Sequence, residues 1–157
     1  TIGHALAIAS QTVDPKRVGG LIETAHAILA GLDPSDEMAF ALSMGKLWSV
    51  HLNDQNGLKF DEDRSFGVVD LRRAFNQVRV LEESGYGRNG EMVGFDVKAM
   101  RTQAVERSFQ HLANSKEIFL KLVDIVRSLD TSEISELRRT RDYEVLEMYI
   151  VRQLMGG

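Results

Sequence analysis

The sequence predicts an α/β fold: short parallel strands alternating with helices, the arrangement of one portion of a larger α/β barrel. Three observations carry this prediction. Apolar runs of strand length alternate with helical stretches, strand–helix three times over. The helical connections are long enough to join parallel neighbours through right-handed crossovers. Each of the three strands also ends in an acid or an imidazole. Three strands with their helices are part of a sheet and do not complete a barrel.

Residues 4–10 are good helix formers and mostly apolar, so they read as a short helix. Residues 12–17 form a turn around Pro15, and residues 18–22 a buried strand with Glu23 and His26 beyond it. Residues 24–31 fit either a short helix or a loop. After Pro34, Ser35 or Asp36 caps a helix that runs to about Met44, and Gly45 fits its C-terminal cap. Residues 46–52 form the central strand, and residues 53–66 a polar loop carrying Asp54, Asp61 and Asp63. Asp70 caps an amphipathic helix to about Ser84, with Leu71, Ala74, Phe75, Val78 and Leu81 at helical spacing. Residues 92–95 are the third strand, and Asp96 stands at its end. Residues 103–129 read as a long helix with Ala104, Phe109, Leu112, Ile118 and Leu120 inward, and residues 132–154 as one final helix. Two units follow: a partial barrel over residues 1–129 and a helical extension over 130–157.

Composition bounds the function. The 157 residues suffice for one domain, and 43% hydrophobic with 27% charged is a normal soluble balance. With no cysteine, thiolate metal sites and disulfides are excluded. A net charge of −4 argues against a nucleic-acid surface. No apolar run approaches the roughly 20 residues of a membrane span. No signal peptide is expected at the start, and a soluble cytoplasmic protein is the expectation. Because the first residue is Thr1, the chain is expected to be a piece of something longer.

In a parallel architecture the three strand ends point to one face, so Glu23, His26, His51, Asp61, Asp63 and Asp96 are expected to converge. Carboxylates packed together repel unless cations sit among them. Two divalent metals sharing one carboxylate is the economical arrangement. Each residue also has an ordinary reading. Glu23 would favour a helix dipole, His26 and His51 would be satisfied core histidines, and residues 61–63 a solvated acidic loop. Lys98 and Arg101 would neutralise the cluster or touch substrate. His4, His111 and Trp48 read as structural, Trp48 as core.

The stretch Gly45-Lys-Leu-Trp-Ser-Val-His-Leu-Asn-Asp-Gln-Asn-Gly-Leu-Lys-Phe-Asp-Glu-Asp-Arg-Ser-Phe-Gly67 resembles the metal-binding strand and loop of xylose isomerases. Glu23-Thr-Ala-His26, the helix from Asp70 and Gly94-Phe-Asp-Val-Lys-Ala-Met-Arg-Thr102 resemble the same family, in matching order to about residue 125. The resemblance implies the C-terminal portion of a TIM-barrel aldose–ketose isomerase with two divalent metal ions (Mn, Co or Mg). It implies that Glu23 is shared between the metals. His26, Asp61 and Asp63 would hold the catalytic metal, and Asp96 would help hold the structural one. Lys98 and Asn53 would contact the sugar substrate. His51 stands where xylose isomerases have Asp, and in that it resembles L-rhamnose isomerases. The family's catalytic base, lysine and histidine would lie in the missing N-terminal part. Homo-oligomerisation through the C-terminal extension is expected, with neither nucleic acid nor membrane as partner. Two rival readings are a non-catalytic remnant that oligomerises through its open sheet and a metal-dependent endonuclease of the same barrel type.

Overall fold

The computed structural model describes residues 1–156. Its sheet has strands β1 (Gly20–Glu23), β2 (Leu47–Leu52) and β3 (Met92–Phe95), paired in the order β1-β2-β3. Both pairings are parallel. The fold is therefore α/β, part of a TIM barrel, as the strand–helix alternation predicts. Helices α2 (Thr24–Leu29) and α3 (Pro34–Ser43) connect β1 to β2, and α4 (Leu71–Ser84) connects β2 to β3. Helix α1 (Ile2–Ala9) precedes the sheet, while α5 (Gln110–Ser128), α6 (Thr131–Thr140) and α7 (Tyr143–Met155) follow it.

The register places Glu23 beside His51, and His51 beside Gly94. The chemistry-bearing ends of the strands therefore lie side by side. Successive side chains on a strand face opposite ways. Ile22, Val50 and Leu52 are buried beneath the helices with Met38, Phe75 and Val78. The opposite face carries Leu21 and Met92, both exposed, together with Glu23 and His51. Phe66, Phe95 and Phe119 form an aromatic cluster with ring centroids 6.0 to 6.4 Å apart.

Several expectations are corrected. Trp48 is 47% exposed, not core. Its indole lies against the backbone of Gly19, where a Cβ would fall 2.1 Å from the ring. Lys46 Nζ sits 5.7 Å from the indole centroid. The same ammonium bonds the carbonyls of Val18 and Pro15, and Val18 stays outside β1. Helix α3 is capped by Asp33, whose carboxylate accepts from the Ser35 N–H at 2.8 Å, and Pro34 occupies the first turn. Helix α5 begins at Gln110 rather than 103. Val105 and Phe109 have no apolar surface to pack on and are exposed, so only a single 3₁₀ turn forms at Val105–Arg107. Ala104, Leu112 and Leu120 are also exposed or nearly so, and Leu71 faces partly outward. The final helix is two helices. Arg141 adopts a left-handed φ of 60° and Asp142 caps α7 by accepting from Val145 N–H.

Candidate metal centre

The site is assembled from three strand ends, the first turn of α2, which carries His26, and one loop. Asn53 and Asp54 follow β2 directly, and the loop folds back through paired backbone hydrogen bonds of 2.9 Å between Asp54 and Arg64. Gln55, buried, ties the loop to itself. Its amide nitrogen donates to the carbonyls of Gly57 and Phe60, and its oxygen accepts from Glu62 N–H. The Asp54 carboxylate accepts from the N–H groups of Gln55, Val69 and Asp70 at 2.8 to 3.1 Å. Burial pushes its proton affinity up against those three hydrogen bonds. Phe66 N–H donates to Ser115 Oγ at 3.0 Å, which pins the end of the loop to α5. These anchors leave Asp61 and Asp63 presented at the strand ends, while Glu62 turns back into the loop and accepts from Asn56 N–H.

Two donor groups result among the described residues. One atom each from Glu23, His26 and Asp61 lies within 4.8 Å of the others, and the same holds for Glu23, His51 and Asp96. His26 Nε2 is 3.4 Å from Glu23 Oε1 and 3.5 Å from Asp61 Oδ2. Glu23 belongs to both groups. Burial raises its proton affinity most; His26 and the Asn53 hydrogen bond oppose this, while the charges of Asp63 and Asp96 add to it. Loss of water around the carboxylate is thus the main cause, and the two neighbouring acids add to it.

The residues present fit divalent cations. Two imidazoles with carboxylates are a donor set for such ions. Among the described residues His51 Nδ1 is buried without a hydrogen-bond partner, and it lies 3.5 Å from Asp96 Oδ2, near enough for both atoms to share one ion. Asp63 lies outside both groups. It is 2% exposed at a left-handed φ of 44°, and its carboxylate meets the Lys98 ammonium and Asn53 Nδ2. Lys98 also lies 3.8 Å from Asp61, so it supplies the charge these acids need, and its own proton affinity is raised chiefly by the hydrogen bond to Asp63.

Arg101 forms no ion pair among the described residues. It lines a cleft beside Asp61 and Lys98, together with Arg64 and His111. Asn53, expected to contact sugar, is 1% exposed with its amide wholly engaged by protein, so it stands behind the site. Sequence reasoning missed the anchors Gln55 and Phe66. The run Asn-Asp-Gln-Asn-Gly after a strand was the available signal for a built turn.

The chain is 38% identical over 124 residues to the xylose isomerase of Streptomyces lividans. The chain belongs to the xylose isomerase family. The match takes in 79% of this chain and 31% of the relative, so the chain spans about a third of the length of that xylose isomerase. No family model matches. Among the described residues no helix is long and apolar enough to cross a membrane. Within a xylose isomerase-like frame, the shared position of Glu23 is the feature around which the other donors are arranged.

Proposed function

We propose that this chain carries the two-cation end of an aldose–ketose isomerase, as the C-terminal portion of a barrel completed by further strands. The observation that carries the reading is that Glu23 belongs to both donor groups. In this reading Glu23 is the bridging carboxylate, His26 with Asp61 and Asp63 hold one divalent cation, and His51 with Asp96 hold the other. Such cations, when bound, polarise the carbonyl and hydroxyl oxygens of a sugar so that hydrogen shifts between its first two carbons. The chain's own part is charge and position. Lys98, with 62% of its side chain exposed, neutralises Asp61 and Asp63 and is free to swing out and leave their charge to a cation. The imidazoles of His26 and His51 favour manganese or cobalt over magnesium. Groups that move protons on the sugar belong, in this reading, to the completing strands.

The test combines the chain with a polypeptide supplying the remaining strands, adds Mn²⁺ and offers a panel of aldoses. Ketose formation that EDTA abolishes is expected; failure to convert any aldose overturns the reading. A second reading, a self-associating module without catalysis, is favoured by the exposed Leu21, Met92 and Val93 on the sheet. Self-association in light scattering with no cation bound supports it. Residues 130–157 are proposed as an extension that packs on neighbouring copies, in line with exposed Tyr143, Val145, Met148 and Met155. A monomer at high concentration contradicts that assignment.

A further inference from the structure

The residue that ties the donor groups together is one that offers no ligand atom. Asn53 follows β2 and is buried, and its side-chain amide bonds on both ends. On the oxygen side, Oδ1 accepts from Ala25 N–H at 2.6 Å and lies 2.9 Å from Thr24 Oγ1. Thr24 Oγ1 in turn accepts from Asn53 N–H at 3.0 Å. On the nitrogen side, Nδ2 donates toward Asp63 Oδ1 at 2.9 Å, the Asp96 carbonyl at 3.0 Å and Glu23 Oε1 at 3.2 Å. The orientation of the amide is fixed by chemistry. A backbone N–H must meet the oxygen, and carboxylates must meet the hydrogens.

Two consequences follow. Ala25 N–H is a first-turn donor of α2, and Glu23, at the N-cap position of that helix, makes no side-chain capping bond. Asn53 caps α2 from the residue just after β2, which leaves the Glu23 carboxylate free to face the site. The amide also has two hydrogens for three acceptors. The shorter bonds hold Asp63 and the backbone at Asp96, and Glu23 receives the longest. The shared carboxylate is therefore steered but not saturated, and its remaining lone pairs point to the site.

We propose that Asn53 is the positioning residue of this centre: one buried amide that sets the ends of β1 and β3 and the Asp63 carboxylate in register while capping α2 in place of Glu23. A group that orients ligating carboxylates typically changes cation affinity by about 10- to 100-fold when removed. The inference rests on the two-cation reading above. It is tested with Co²⁺ alone, titrated into the 157-residue chain and followed by calorimetry and by visible absorption, which reports ligand geometry. Wild type is expected to bind two Co²⁺. Asn53→Ala is expected to fold by circular dichroism and lose about 10- to 100-fold in Co²⁺ affinity. Asn53→Asp keeps the oxygen that caps α2 but cannot donate to Glu23 and Asp63, so its visible band should shift. If Asn53→Ala fails to fold, Asn53→Asp decides. Variants that fold and match wild type in affinity and band overturn the role of Asn53 and leave the two-cation reading standing. A folded wild-type chain that binds no Co²⁺ overturns the two-cation reading, and this inference with it.

Discussion

Glu23 is held in conflict: half-buried among acids, it is offered one imidazole and one amide hydrogen to balance them. Its proton affinity in the folded chain lies above the ordinary 4.5, so the folded state holds the proton more tightly than the unfolded state does. The stability this group contributes is full below 4.5 and is lost as pH rises through its folded value. Glu23→Gln removes that loss. In EDTA, urea unfolding of wild type should lose more stability between pH 4.5 and neutrality than Glu23→Gln does, and the variant should bind no pair of cations. An equal loss in both chains would show that Glu23 is not under this tension. Asp54 is the structural counterpart. Asp54→Asn turns an amide NH₂ or a single oxygen toward three backbone N–H groups. It should cost about 2 kcal/mol in denaturant unfolding. At this scale the sequence was informative about ligand chemistry. Acids and imidazoles at strand ends announce themselves, whereas Asn53 and Gln55 look like turn residues until their partners across the sheet are seen.

The loop after β2 is held to the fold at both ends, by Asp54 at its start and by Phe66 at its close. Phe66 is fully buried between Phe95 and Phe119, so α5, beyond β3, helps place the acids of the loop. Phe66→Ala should cost about 3–5 kcal/mol. It should also weaken cation binding on the Asp61 side, which Co²⁺ calorimetry would reveal. Unchanged affinity at reduced stability would mean that the loop holds its shape without α5. Element type was legible for every strand and for most helices, because periods of 2 and 3.6 residues differ plainly in this chain. Boundaries failed where a single side-chain contact or cap decides where an element starts. Lys46 holds Val18 out of β1, Asp33 caps α3 ahead of Pro34, and Asp142 starts a new helix after the left-handed Arg141. The period of a helix does not report a two-residue break whose flanking turns keep the same apolar rhythm.

For the whole molecule, the donor groups couple binding to folding, because the two groups draw on β1, β2, β3 and the loop together. A cation that binds only the assembled set stabilises by about 2.7 kcal/mol at a free concentration 100 times its Kd. Added Mn²⁺ should therefore raise the Tm, EDTA should reverse the rise, and Mg²⁺ should do less at equal concentration. A Tm indifferent to Mn²⁺ would argue that the acids are balanced by Lys98 and nothing else. The central place of β2 in the sheet has a further result. Its backbone is hydrogen-bonded to a neighbour on each side, whereas β1 and β3 each have a neighbour on one side only. Amide hydrogens should exchange with heavy water slowest along Leu47–Leu52 and faster on the outward edges of Gly20–Glu23 and Met92–Phe95. On that pattern His51 sits on the slowest-exchanging strand, and Glu23 and Asp96 at the ends of faster-exchanging ones. Any polypeptide that added strands to either edge would register as slowed exchange there, mapping its attachment strand by strand.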